Sequence, residues 1–156
     1  RFGCWTCTVV TKDRAMESLI LNGEEWMKPL LDLRNKLADT TIIEDKGKYR
    51  SHIRRDGRMA FKTLTIDGKK EMTEGYTFGP YLLSFRQQFL KELLETQHQL
   101  SKINKDVELI TVPELHAVRH EWLNDPNEPR YSMKFLDMIW IGQLMTPTNL
   151  VMKKLS

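Results

Sequence analysis

At 156 residues and 18.4 kDa the chain has room for one domain with a real core and not for two ordinary ones. Hydrophobic residues at 40% and charged residues at 29% exclude a disordered or membrane-embedded polypeptide. No apolar run approaches the roughly 20 residues that cross a bilayer and no charged-then-apolar leader opens the chain, so a cytoplasmic protein with no membrane partner is expected. The first methionine is Met16, within a helical pattern, and the chain reads as a fragment or processed piece of a longer protein.

The opening "RFGCWTCTVV" places Cys4 and Cys7 two residues apart. In a cytosolic setting such a pair points to metal binding or thiol chemistry rather than a structural disulfide. A redox pair would follow a buried strand, yet only three residues precede Cys4. Half of a metal or cluster site fits the spacer better, since two intervening residues let both sulfurs face one ion and Gly3 relieves the crowding of the turn. Two small buried hydrophobes would also satisfy the pattern. Four ligands close a tetrahedral site, so two cysteines cannot complete one alone. Within the chain His52, His98, His116 and His120 could contribute, and "HAVRH" sets His116 and His120 four apart on one helix face. The separation far exceeds zinc-finger spacing, which makes a solvated helix face the simpler reading of that pair.

"TKDRAMESLILNG" predicts a first helix capped by Thr11 or Asp13 and stopped by Asn22-Gly23. "EEWMKPLLDLRNKLAD" continues with Trp26, Leu30, Leu33 and Leu37 on a core-facing stripe, and Pro29 should start or kink that helix. Over 46–73 the helical period breaks. "RRDGR" and "IDGKK" each carry the Asp-Gly pair of a tight hairpin turn, which predicts a small antiparallel β-meander. Met59 and Phe61 fall on one parity and Leu64 and Ile66 on the other, so a bulge or a strand buried on both faces is expected. A long helix should span 80–103, opened by Gly79-Pro80, with Leu82, Phe85, Phe89, Leu93 and Leu100 on one face. "TVPELHAVRHEWL" has Thr111, Pro113 and Glu114 in a capping-box arrangement. "NDPNEPR" ends that helix as a polar loop, and "YSMKFLDMIWIGQL" fits a buried helix or strand equally. The fold class expected is α+β, mainly helical, with helices packed around the meander in a single domain over 1–156.

The net charge of +3 is unevenly spread. In "KGKYRSHIRRDGRMAFK", residues 46–62, Lys46, Lys48, Arg50, Arg54, Arg55, Arg58 and Lys62 stand against Asp56 alone, a local charge of +6 that leaves −3 for the remainder. Four arginines able to clamp phosphates on a turn-rich segment, with Tyr49 available to stack, suit contact with a nucleic-acid backbone. A solvated hairpin that blunts its edges with charge would have the same composition. No G-x-S-x-G, G-x-x-x-x-G-K-[ST], G-x-G-x-x-G or H-E-x-x-H motif occurs, so no autonomous hydrolase or dehydrogenase is expected and no catalytic residue is assigned.

Taken together, "RFGCWTCTVV", "KDRAMESLILNGEEWMKPLLDLRNKL", "RRDGR" and "GPYLLSFR" closely resemble the DndC family of DNA phosphorothioate-modification proteins. These are sulfurtransferases related to phosphoadenosine-phosphosulfate reductase. The resemblance is strongest over 1–40, patchier to about 95 and thin beyond. It implies that this chain is the C-terminal part of a larger α/β adenine-nucleotide α-hydrolase-like enzyme. An upstream domain, absent here with its Ser-Gly-Gly type loop, would bind ATP and magnesium to activate the substrate. Cys4 and Cys7 match a cysteine pair that holds a 4Fe-4S cluster in the family, with at least one further ligand upstream of Arg1. The implied partners are DNA, a cysteine desulfurase as sulfur donor and companion phosphorothioation proteins. The fragment alone is expected to be inactive. The alternative is a non-catalytic nucleic-acid-binding or assembly module with a structural zinc site.

Overall fold

The computed structural model describes residues 5–42 and 44–125. Cys4 and the whole of "YSMKFLDMIWIGQL" lie outside the described residues. The fold is α+β and mainly helical, and no helix among the described residues is long and apolar enough to cross a membrane. Backbone contacts divide the chain into two units, Arg1–Leu109 and Ile110–Ser156.

The first unit begins with α1, Arg14–Leu21. Of the two candidate caps Asp13 is the one used: its side chain accepts from the Met16 amide at 3.1 Å, satisfying a donor that a helix start leaves open. Asn22 ends α1, and Gly23 follows at a φ of 107°, which a side chain would resist. A 3₁₀ turn over Glu25–Met27 leads into α2, Lys28–Asp39, whose second residue is Pro29, where its missing N–H is no loss. Met16, Met27, Leu30 and Leu100 form a core cluster, flanked by Trp5, Leu19, Ile20, Trp26, Leu31, Val107 and Leu109. The stripe expected on α2 is therefore core, and it holds one residue no apolar stripe predicts: Arg34, fully buried.

The basic segment does not open as a strand. Lys46–Tyr49 forms one helical turn, α3, followed by extended Arg50. Both Asp-Gly turns form as expected. Around Asp56-Gly57 the Gly57 amide donates to Arg54 O at 2.9 Å and the Arg54 amide to Arg58 O at 2.9 Å. At Asp67-Gly68 both residues have positive φ, 50° and 76°, the primed turn whose twist suits a two-residue hairpin. That turn joins β1, Ala60–Ile66, to antiparallel β2, Lys69–Thr77, so the ribbon runs past the expected limit at 73. A bridge between Ile53 and Met59 adds a third antiparallel run.

The expected bulge is present: Phe61 pairs with Tyr76 but Thr63 with Met72, so Thr73 to Gly75 bow out opposite Lys62. Thr73 Oγ1 donates to Lys62 O at 2.9 Å and holds the bow. Because the insertion is two residues, side-chain parity is kept on either side of it. Met59, Phe61, Met72 and Tyr76 share one face and Leu64 lies on the other. Neither face is buried there, since Phe61, Leu64 and Met72 are all exposed.

Helix α4, Leu83–Ser101, starts three residues after Pro80 because the preceding residues are already engaged. Pro80 O accepts from the Ser51 amide at 2.9 Å and the Leu82 amide donates to Tyr49 O at 2.8 Å. Leu82 lies before the helix and is exposed; Leu100 is buried as expected, with Leu90 and Leu94, while Phe85, Phe89 and Leu93 are half-buried. Over the middle of the helix the most buried positions are each one residue later than expected, Leu90 for Phe89 and Leu94 for Leu93. Lys36 of α2 and Glu92 of α4 form an ion pair linking the two helices. In the second unit α5, Val112–Asn124, carries the full capping box: Glu114 N donates to Thr111 Oγ1 at 3.3 Å and Thr111 N to Glu114 Oε2 at 2.8 Å.

Candidate functional site

Two groups of residues singled out in the sequence fall in the first unit. One is the loop that carries Cys7. Its thiol is half-buried and forms no disulfide. The loop is held by its backbone, through Arg34. The guanidinium donates to Cys7 O from Nε at 3.2 Å and from Nη2 at 2.9 Å, to Thr11 O from Nη1 at 2.9 Å, and to Val10 O. Asn35 Oδ1 accepts a further bond at 3.1 Å. Among the described residues no carboxylate pairs with this buried cation, so neutral oxygen dipoles compensate its charge. Trp5, two residues before Cys7, packs against the core cluster and fixes the other end of the loop.

Among the described residues no group of three or more histidine, cysteine or acidic side chains could hold a metal ion. The described part of the loop offers one sulfur donor, Cys7, fewer than a four-ligand centre needs. His52 packs edge-on against Tyr76 with centroids 5.0 Å apart, and His98, His116 and His120 are exposed.

The second group is the basic segment, whose seven cations divide by role. Arg50 turns inward: its guanidinium lies 4.0 Å above the Tyr81 ring and Nη1 donates to Gly79 O at 3.3 Å, while Nε is buried with no acceptor. A guanidinium stacked in this way is part of the scaffold. Beneath it the Tyr81 hydroxyl and Thr40 Oγ1, at the end of α2, are 2.7 Å apart. Tyr49 is half-buried edge-on to Phe85 and is not presented for stacking. Lys46 is half-buried on α3. Lys48 is exposed and paired with Asp45 at 2.5 Å, and the hydrogen bond and charge of that carboxylate raise its pKa.

Arg54, Arg55 and Arg58 all stand exposed on the turn, and Lys62 is exposed on β1. Asp56, the lone acid, is engaged with the backbone: its Oδ1 accepts from the Arg58 amide at 3.1 Å and closes the turn. Beside the turn lies an open groove of about 460 Å³ lined by Arg50, His52, Ile53, Met59, Tyr76 and Leu82. Gly79 makes this arrangement possible, because a Cβ there would sit 2.1 Å from Ile53 O.

Sequence reasoning missed Arg34, Thr40 and Tyr81. A signal for Arg34 was present, since it lies one turn after Leu30 on the buried stripe, where a charge requires partners. Thr40 and Tyr81 give no comparable signal. No protein-family model, curated protein or solved structure matches the chain.

Proposed function

We propose that the chain is part of an iron–sulfur sulfurtransferase that incorporates sulfur into the DNA backbone with ATP-dependent activation. The observation that carries this reading is the anchoring of the loop that carries Cys7: Trp5 and Arg34 fix the backbone on which this cysteine stands, as a ligand would require. Its sequence, the opening decapeptide, is also the most specific element of the resemblance to the DndC family. Cys4 and Cys7 would hold a 4Fe-4S cluster together with ligands supplied from elsewhere, and an upstream domain would bind ATP and magnesium. The exposed Arg54, Arg55 and Arg58 supply what a phosphate backbone needs, charge and bidentate donors on a turn that reads no bases. Arg50 is not one of the DNA-binding residues in this reading, because it is occupied with Tyr81. A cysteine desulfurase would deliver sulfur and companion phosphorothioation proteins would complete the machinery.

The test is metal and sulfide analysis with an absorption spectrum on anaerobically purified protein including the upstream sequence. Iron with labile sulfide and broad visible absorption, abolished in Cys4→Ser and Cys7→Ser, is the expected result. Colourless protein with stoichiometric zinc would overturn it in favour of a non-catalytic nucleic-acid-binding or assembly module, a reading favoured by an arginine turn that needs no thiol. Charge reversal at Arg54, Arg55 and Arg58 should weaken DNA binding and flatten its salt dependence, by roughly one unit of log–log slope for each phosphate no longer neutralised.

A further inference from the structure

We infer that the groove beside the arginine turn seats an unpaired nucleotide, so that the DNA strand engaged here is locally opened rather than fully duplex. The inference rests on the DNA-acting reading above and specifies the form of the substrate. The groove and the cations are one construction: Ile53 and Met59 bridge each other, and the five residues between them are the arginine turn. The groove floor and the phosphate-binding groups are therefore held at fixed offset. On the same face of the ribbon Phe61 pairs with Tyr76, ring centroids 5.0 Å apart, and His52 lies 5.0 Å from Tyr76.

Apolar and aromatic groups beside these cations remain open to solvent: Ile53 is 49% exposed, Met59 51% and Phe61 40%. A perfect duplex matches the cations but not this surface, since its bases are stacked on each other and its outer face is charged. A strand with an unstacked base matches both, offering phosphate to the arginines and a π-face to the rings. The groove, at about 460 Å³, has room for a nucleobase.

The experiment is fluorescence anisotropy with the full chain and one DNA sequence in three forms: single strand, perfect duplex, and duplex with a single unpaired nucleotide. The single strand and the interrupted duplex should bind at least about tenfold tighter than the perfect duplex at equal salt, the factor that about 1.4 kcal/mol provides. A 2-aminopurine placed at the unpaired position should be quenched on binding. His52→Ala and Phe61→Leu, each checked for folding by circular dichroism, should reduce single-strand affinity by roughly fivefold to a hundredfold, the range of one aromatic–base stack, and leave perfect-duplex affinity unchanged. Arg54→Gln with Arg58→Gln should weaken all three forms together. Equal affinity for all three forms, or a preference that survives both His52→Ala and Phe61→Leu, overturns this inference while leaving DNA binding intact. Failure to bind any form removes the DNA-acting reading as well, and self-association abolished by Met59→Lys in sedimentation would assign the face to a second copy of the chain.

Discussion

Replacing Arg34 by methionine should release the Cys7 loop while leaving the helices folded. Arg34→Met keeps most of the stem volume and removes every donor. Three carbonyls, those of Cys7, Val10 and Thr11, are then deprived of a charged partner. Hydrogen bonds to a charged group contribute about 1.5–3 kcal/mol each, which as a sum would approach the whole stability of a small domain. Two effects reduce it. Val9 and Val10 are 90% and 52% exposed, so a lifted loop rehydrates its carbonyls rather than leaving them orphaned. The cost of burying a guanidinium without a carboxylate is also recovered. The net destabilisation should be about 2–4 kcal/mol, read as a lower midpoint in urea at unchanged m-value. Local release is read separately, by the alkylation rate of Cys7 in a Cys4→Ser background. That rate should rise at least about tenfold in Arg34→Met, the factor that corresponds to about 1.4 kcal/mol of weaker closure. Arg34→Lys, which keeps the charge but not the fork, should fall between. A stability change within about 0.5 kcal/mol together with an unchanged alkylation rate would refute the role assigned to Arg34.

In the second unit, Thr111→Ala should lower the stability of α5 by about 1 kcal/mol, measured as reduced helicity on heating. The backbone hydrogen bond from Thr111 holds the Glu114 carboxyl below its ordinary value of 4.5, so the cap is intact at higher pH and is lost as pH falls through that lowered pKa. Helicity of the wild-type chain should drop in that acid range and Glu114→Gln should remove the response. Gly79→Ala should destabilise the first unit by about 1–3 kcal/mol in urea, because the new Cβ meets the carbonyl and backbone of Ile53 rather than a side chain that can swing aside. A double-mutant cycle of Thr40→Val and Tyr81→Phe should give a coupling of about 1 kcal/mol in urea: Thr40 Oγ1 donates to Leu37 O at 2.7 Å and so accepts from the Tyr81 hydroxyl, which Thr40→Val alone leaves without its acceptor and the double change removes. Strict additivity would show that the two hydroxyls are independently satisfied.

The signals that proved readable in the sequence are those written in consecutive residues. Asp13 and Gly23 bracket α1, Thr111 and Glu114 start α5, and the two Asp-Gly pairs place both turns, because caps and turns are satisfied within four or five residues of backbone. For the same reason the exposure of Arg54, Arg55 and Arg58 follows from the turn itself. What escaped depends on neighbours distant in sequence. The start of α4 is one such case: the Leu82 amide is tied to Tyr49 O across thirty-three positions, so the helix begins at Leu83 and not at Pro80. Arg50 reads as one more surface cation until Tyr81 is placed under it. Arg34 falls on the buried stripe of α2, but the acceptors that make its burial tolerable lie 23 to 27 residues earlier and are not marked by any local pattern.

Helix α2 connects the two groups of candidate residues. Arg34 ties it to the Cys7 loop, and Thr40, six residues later at its C-terminal end, reaches Tyr81, on whose ring Arg50 rests at the mouth of the groove. Both Arg34 and Thr40 are fully buried, which places α2 between two sets of partners rather than against one. Six residues advance a helix by about 9 Å and turn it through about 240°, so the two attachments leave α2 on different sides. Neither attachment involves a flexible linker: one ends on backbone carbonyls and the other on an aromatic ring clamped by a guanidinium. On the sulfurtransferase reading proposed above, a cluster at the Cys7 loop would have to keep a constant position with respect to a phosphate held at the arginine turn. Helix α2 is bonded to the Cys7 loop through Arg34 and to Tyr81 through Thr40, so on that reading Arg34→Met should lower sulfur incorporation into DNA by more than it lowers DNA affinity, and equal losses would count against it.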